Sequence, residues 1–183
     1  MSILFKPNSF MKMDKDDWHG PDTGFISITG RIKELIITAG GENVAPVLIE
    51  NEMKTAMPAL SNCIVIGDKR KFLSILFCLH VELNEDGSAT NKLAGAALDV
   101  SKNIGSNATT TDDVRNDAAW KKYLDEGMAA ANKNALSRAQ KVAKWAVLDT
   151  DFSEPGGELT PTLKLKRSSV ADKYSSVIEE IYA

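Results

Sequence analysis

The sequence is short of the residues that staple or metallate small proteins. Its 183 residues include only two cysteines, Cys63 and Cys78, and two histidines, His19 and His80. Both cysteines sit inside apolar, strand-like runs and read as buried free thiols rather than a disulfide or metal pair. That usage suits a reducing compartment. The histidines stand apart from any ligand-like cluster, and a zinc site needs several such residues at defined spacing, so no metal site is expected. No apolar stretch approaches the roughly 20 residues that span a bilayer. Met1 to Gly20 carries charges on both sides of Phe10 and lacks the apolar centre of a signal peptide. Charge of one sign is lacking too: the formal net charge of -3 gives no general pull towards nucleic acid. A basic face with interleaved aromatics, as a nucleic-acid binder needs, is missing. Neither a Gly-x-x-x-x-Gly-Lys-Ser/Thr phosphate loop nor a Gly-x-Gly-x-x-Gly fingerprint occurs.

What is present is an ordinary globular composition, 43% hydrophobic and 26% charged, at a length that suits one compact domain or a domain plus a tail. Met1 to Gly20 has no clear period. Gly24 to Thr29 alternates as a short strand, and Leu35 to Thr38 is a β-branched run broken at Gly40-Gly41. Pro46 suits a first helical turn, Ile49, Met53, Ala56 and Met57 follow at helical spacing, and Pro58 stops the helix. Cys63 to Ile66 and Phe72 to Val81 read as two strands joined by a hairpin over Gly67 to Lys71, forming the centre of a small sheet. Helices are expected over Asn91 to Asn103 and, beyond a polar loop, over Asp112 to Leu136. The second puts Trp120, Tyr123, Leu124, Gly127, Met128, Ala131 and Ala135 on one face. Trp145 to Leu148 returns to strand character, Ser153 to Thr160 is a turn around Pro155-Gly156-Gly157, and Ser169 to Tyr182 is a helix with Val170, Tyr174, Val177, Ile178 and Ile181 on its apolar face. The order β, α, β, β, α, α, β, α predicts an α+β fold, a small mixed β-sheet flanked by helices.

Two segments carry chemistry. In the first, Gly30-Arg31-Ile32-Lys33-Glu34 leads to Thr38-Ala39-Gly40-Gly41-Glu42-Asn43-Val44. Adjacent glycines after a strand let backbone approach a ligand closely, although alone they read first as a tight turn before a helix. In the second, Gly156 to Arg167 places a basic cluster on a loop before the last helix. A lysine there can meet a phosphate as a point charge with three donors, or be a solvated helix entry.

Taken together, the order Gly-Arg-x-Lys-Glu-x-Ile, Gly-Gly-Glu-Asn-Val-x-Pro, x-x-Glu resembles the C-terminal motif of adenylate-forming enzymes. Gly30 to Pro46 is most similar to long-chain fatty acyl-CoA synthetases. The stretches Ile66 to Leu73 and Gly156 to Arg167 resemble the bubblegum-type branch, and Trp145 to Leu148 and the Val170 to Tyr182 helix fit it. The resemblance spans about Asp22 to Tyr182 and implies a poorly matched segment 1–23 followed by a C-terminal lid domain, 24–183. In such enzymes ATP, Mg-bound, activates a fatty acid as an acyl-adenylate; coenzyme A thiol then attacks, and the lid rotates between the steps. By resemblance Lys164 is the adenylation lysine, Arg31 the nucleotide-binding arginine that contacts the ribose, and Lys33 the hinge. Gly40, Gly41 and Glu42 form the CoA-side loop, with Glu42 open to a second role as a cap of the next helix.

The family's Ser/Thr/Gly-rich phosphate loop, adenine pocket, fatty-acid tunnel and Thr-Gly-Asp are not in the sequence. The resemblance therefore implies a partner, the N-terminal adenylation domain, and a chain that is a truncated part of a ligase and inactive alone. An apolar docking patch is expected on its surface. A cytoplasmic location, with or without peripheral membrane attachment, follows from the same likeness. The alternative from another class is a non-catalytic regulatory or binding module that keeps the lid fold; retention of both Lys164 and Arg31 favours the enzyme component.

Overall fold

The computed structural model describes residues 10–12, 27–30 and 34–183. Arg31, Lys33, most of segment 1–23 and the start of the Gly24 to Thr29 strand lie outside the described residues. Strands β1 (Phe10–Lys12) and β2 (Ser27–Gly30) pair antiparallel, as do the two-residue strands β3 (Ile36–Ile37) and β4 (Asn43–Val44).

Helix α1 (Pro46–Ala56) starts with Pro46 in its first turn and closes on Met57, because the residue before Pro58 is steered away from helical backbone. Its buried Ile49 and Met53 face strand β5 (Leu60–Ile66), which pairs antiparallel with β6 (Leu73–Leu79). All seven residues of β6 are buried. A continuous apolar run of this kind marks a strand covered on both faces. Its other neighbour is β9 (Val142–Val147), and that pair is parallel. The sheet order β5-β6-β9 makes β6 central and β5 an edge, so only one of the two strands expected at the centre is there.

Alternation along these strands divides the apolar core in two. Cys63, Val65, Ile75, Phe77 and Val147 join α1 and the helix bearing Trp120 and Leu124 on one side. Ile64, Leu76 and Cys78 join Leu148, Phe152, Val170, Ile178 and Ile181 on the other. Cys63 and Cys78 consequently point to opposite faces of neighbouring strands as free buried thiols.

Three expected helices are corrected. Ala89–Leu93 is a strand, β8, paired with β7 (Val81–Leu83), and helix α2 runs only from Gly95 to Asn103. The tight turn through Asn84 and Gly87 folds β8 back on β7 before any helix can start. The helix expected over Asp112 to Leu136 is two, α3 (Thr111–Asn116) and α4 (Ala118–Lys133). Asp117 keeps extended backbone and accepts hydrogen bonds from the amides of Ala119 and Trp120, so it caps α4 instead of continuing α3. The last helix begins earlier, at Arg167, and breaks at Tyr174 into α5 (Arg167–Lys173) and α6 (Ser175–Tyr182). At the break Tyr174 has φ -102 and ψ 22, and its hydroxyl donates to Glu158. No helix among the described residues is long and apolar enough to cross a membrane.

Candidate functional site

The glycine pair lies at the tip of the β3–β4 hairpin. The Thr38 amide donates to the Glu42 carbonyl at 3.1 Å, and the Gly41 amide to the Thr38 carbonyl at 2.9 Å. Gly41 has φ +78 and open space around it; a side chain there would meet backbone strain and no neighbour. Glu42 is exposed. It does not cap α1, whose N-cap is Ala45 without a side-chain cap bond, so that alternative for Glu42 is set aside. The turn between β5 and β6 supports this loop. The Ala39 amide donates to the Arg70 carbonyl at 3.0 Å, the Lys69 amide to the Ile37 carbonyl at 2.8 Å, and the Ile37 amide to the Asp68 carboxylate at 3.3 Å. Arg70 is in turn ion-paired with Glu179 on α6 and sits over the Tyr182 ring.

Lys164 lies on a second hairpin and is exposed. Leu159 and Leu165 pair across its base. The Thr160 amide donates to the Lys164 carbonyl at 2.9 Å, and the Lys164 amide donates to Thr160 Oγ1 at 3.0 Å. Between them Leu163 takes φ +57 with its side chain 74% exposed. Left-handed backbone in a branched residue costs about 1–2 kcal/mol and persists only where its surroundings impose it.

Two buried carboxylates stand at the roots of this hairpin. On the incoming arm Glu158 is 1% exposed. It accepts from the Tyr174 hydroxyl at 3.0 Å and the Ser153 amide at 3.4 Å, and is ion-paired with Lys173. Lys173 Nζ also donates to the Gly156 carbonyl at 3.1 Å, strapping the Pro155–Glu158 turn. Burial pushes the Glu158 pKa up, but the Lys173 ammonium, backbone amides and Tyr174 outweigh it and hold the carboxyl below its ordinary range. On the outgoing arm Arg167 makes a bidentate pair with Glu50 of α1, both bonds at 2.7 Å. Glu50 Oε1 also accepts from the Val65 amide at 2.9 Å on the open edge of β5. Burial lowers the Arg167 pKa, and the Glu50 carboxylate more than reverses that.

The structure thus joins the sequence candidates in two groups. Gly40, Gly41 and Glu42 share one supported loop; Lys164 has its own. A cleft of about 350 Å³ lined by Ile36, Gly67, Asp68, Arg70, Arg167 and Ser168 runs from the flank of the first to the root of the second. Glu158 and Arg167 received no role from the sequence, although both lie inside the Gly156 to Arg167 motif; a carboxylate between a glycine pair and an apolar residue was the available signal. Glu50 was not singled out by the sequence either. No group of three or more His, Cys, Asp or Glu able to hold a metal occurs among the described residues.

The sequence profile described as the AMP-binding enzyme C-terminal domain matches residues 33–148. The chain is 48% identical over 181 residues to the long-chain-fatty-acid–CoA ligase ACSBG2 of Gallus gallus, covering 93% of this chain and 24% of that protein. It is 45% identical over 180 residues to ACSBG1 of Homo sapiens, covering 93% and 25%. The chain therefore spans about a quarter of the length of the curated relatives it matches. Among solved structures, the adenylation domain of a carboxylate reductase from Mycobacterium chelonae superposes with a TM-score of 0.63 at 21% identity, over 90% of this chain and 21% of that one. A second such domain, from Segniliparus rugosus, gives 0.62 at 17% identity over 90% and 22%. These likenesses bear on the fold, while the sequence matches decide the family. With its mixed sheet between two helical layers and its two supported loops, the chain belongs to the AMP-binding enzyme C-terminal domain family, and its homologues are bubblegum-type long-chain-fatty-acid–CoA ligases.

Proposed function

We propose that this chain is the C-terminal lid of an ATP-dependent long-chain fatty acid–CoA ligase and works with an N-terminal adenylation domain. The observation that carries the reading is the exposed Lys164 on a braced hairpin, in a chain whose alignment to such ligases covers 93% of its length. An alignment of that extent leaves out too few residues to stop short of position 164.

In the first half-reaction the fatty acid carboxylate attacks the α-phosphate of ATP, and pyrophosphate leaves. Charge builds on phosphate oxygens, and the Lys164 ammonium, aimed at that charge, lowers the barrier. Magnesium arrives on the nucleotide's phosphates as part of the substrate. Arg31 holds the ribose through its planar donors, and Lys33 is the hinge whose torsions turn the domain. In the second half-reaction Gly40, Gly41 and Glu42 face the adenylate, and the glycines let the pantetheine arm of coenzyme A pass close to backbone. The two loops then serve separate steps, in keeping with their separate supports. The domain runs from about residue 24 to 183, and the buried free thiols favour a reducing, cytoplasmic setting.

The test grafts this chain in place of the corresponding quarter of the Gallus gallus ligase. Lys164→Ala is expected to slow fatty-acid-dependent pyrophosphate exchange about 100- to 1000-fold while thioester formation from pre-made acyl-adenylate survives. Equal loss of both half-reactions refutes the assignment.

A further inference from the structure

The Lys164 hairpin is small, solvated at its tip and strained at Leu163, yet it is pinned at both roots by buried charge. The incoming root, Glu158, reaches the α5–α6 junction through Lys173 and Tyr174. The outgoing root, Arg167, reaches α1 and the edge of β5 through Glu50. Those anchors lie on opposite sides of the sheet, since α1 packs in one core cluster and α5 and α6 in the other. Between the roots, the Lys166 amide donates to the Glu158 carbonyl at 2.8 Å, closing the frame.

Burying a carboxylate is costly unless it is paired and fully hydrogen-bonded, and replacing such a pair by apolar groups is often neutral or stabilising. Two buried carboxylates, each tied to a cation and flanking one exposed lysine, are therefore poorly explained by stability alone. What they add is direction. An ion pair with several hydrogen bonds fixes a backbone to within fractions of an ångström, and misplacing a reacting group by about 1 Å can cost on the order of 100-fold in rate.

We infer that Glu50, with Arg167, and Glu158, with Lys173, are positioning residues that hold the Lys164 hairpin in the register its cation needs for the adenylation step. This rests on the reading of Lys164 given above. The carboxylates do not touch the reacting atoms; they act through the hairpin.

Two measurements test it with Glu50→Gln, Glu158→Gln and Lys173→Gln, the last at a half-exposed site and keeping a hydrogen-bond donor. On the full chain, amide hydrogen exchange at Thr160, Lys164 and Lys166 is expected to rise about tenfold or more, as the loss of a charged hydrogen bond allows, while the amides of β6 keep their protection. Unchanged hairpin amides, or an equal rise in β6, overturn the inference whatever Lys164 does. In the grafted ligase, each variant is expected to slow pyrophosphate exchange about 10- to 100-fold and thioester formation from acyl-adenylate less than about 2-fold. In a Lys164→Ala background each should cost less than about 2-fold more, because a positioning residue has nothing left to position. Full loss in that background, or equal loss in both half-reactions, also overturns it. If the exchange result holds but Lys164→Ala spares adenylation, the functional reading fails while the braced hairpin stands.

Discussion

Replacing Gly156 by alanine tests how tightly the turn before the Lys164 hairpin is built. A Cβ at position 156 would lie 2.2 Å from Glu158 Oε2 and 2.7 Å from Ser153 Oγ. Both atoms end side chains, and elsewhere such ends could swing aside. Here Glu158 is buried and bonded to Lys173, Tyr174 and the Ser153 amide, and Ser153 Oγ accepts from the Gly156 amide at 3.0 Å. Making room means breaking at least one charged hydrogen bond, about 1.5–3 kcal/mol, with overpacking of about 1–3 kcal/mol as the competing outcome. Because Lys173 is half exposed, solvent recovers part of its share. A net loss of roughly 1–3 kcal/mol results, which lowers Tm by roughly 2–12 °C for a chain of this size. The neighbouring Gly157 is the control. It has φ +89 and nothing within 4 Å of a Cβ, so Gly157→Ala carries only the backbone cost, about 1–2 kcal/mol. Thermal and urea unfolding of the two variants followed by circular dichroism gives the comparison. In a Glu158→Ala background, where the closer of the two contacts is gone and only the one to Ser153 Oγ remains, Gly156→Ala should cost clearly less than in the native chain. A Gly156→Ala variant that costs as much without the Glu158 side chain as with it would refute the account of a packed, charge-locked turn.

Two further predictions concern titration. Glu158 has a folded pKa below its unfolded value, which lies near ~4.3, so its stabilisation is complete above that pH and is lost as pH falls through the folded value. The stability gap between the native chain and Glu158→Gln should be widest near neutrality and narrow below about pH 4; urea midpoints showing a constant gap would exclude this linkage. Cys63 is pushed up to about 12, chiefly by burial and secondly by the nearby Glu50, and burial lifts Cys78 well above its ordinary value. Thiolate, the reactive form, is therefore scarce at both positions. Ellman's reagent at pH near ~8, below the ordinary thiol pKa, should leave the native chain unlabelled for minutes and titrate both thiols in urea; rapid labelling of the folded chain would contradict the burial.

Where local signals were strong, the sequence could be read element by element. Pro46 and Pro58 bracket α1, and the apolar run Phe72 to Val81 reads as a strand, most of which becomes β6. Gly40-Gly41 and Pro155-Gly156-Gly157 mark turns, and Gly41 and Gly157 take the positive φ that few other residues tolerate. The misreadings came where two local preferences competed. Asp117 lies in a stretch that is helical on both sides, and its cap splits α3 from α4. Residues 89–93 have no strong period of their own and became β8 because the Gly87 turn brought them back to β7.

The sequence alone determined the order of strands and helices through most of the chain, the α+β class, and the turns at Gly40-Gly41 and Gly156-Gly157, because each is written in neighbouring residues. Tertiary structure alone decided that β9 lies parallel to β6, that β5 is an edge, and that Glu50 meets Arg167 across a separation of 117 residues. Periodicity and caps report the chain within a few turns of themselves. Which buried charge finds which partner depends on how the helical layers close over the sheet, and no local pattern encodes that distance.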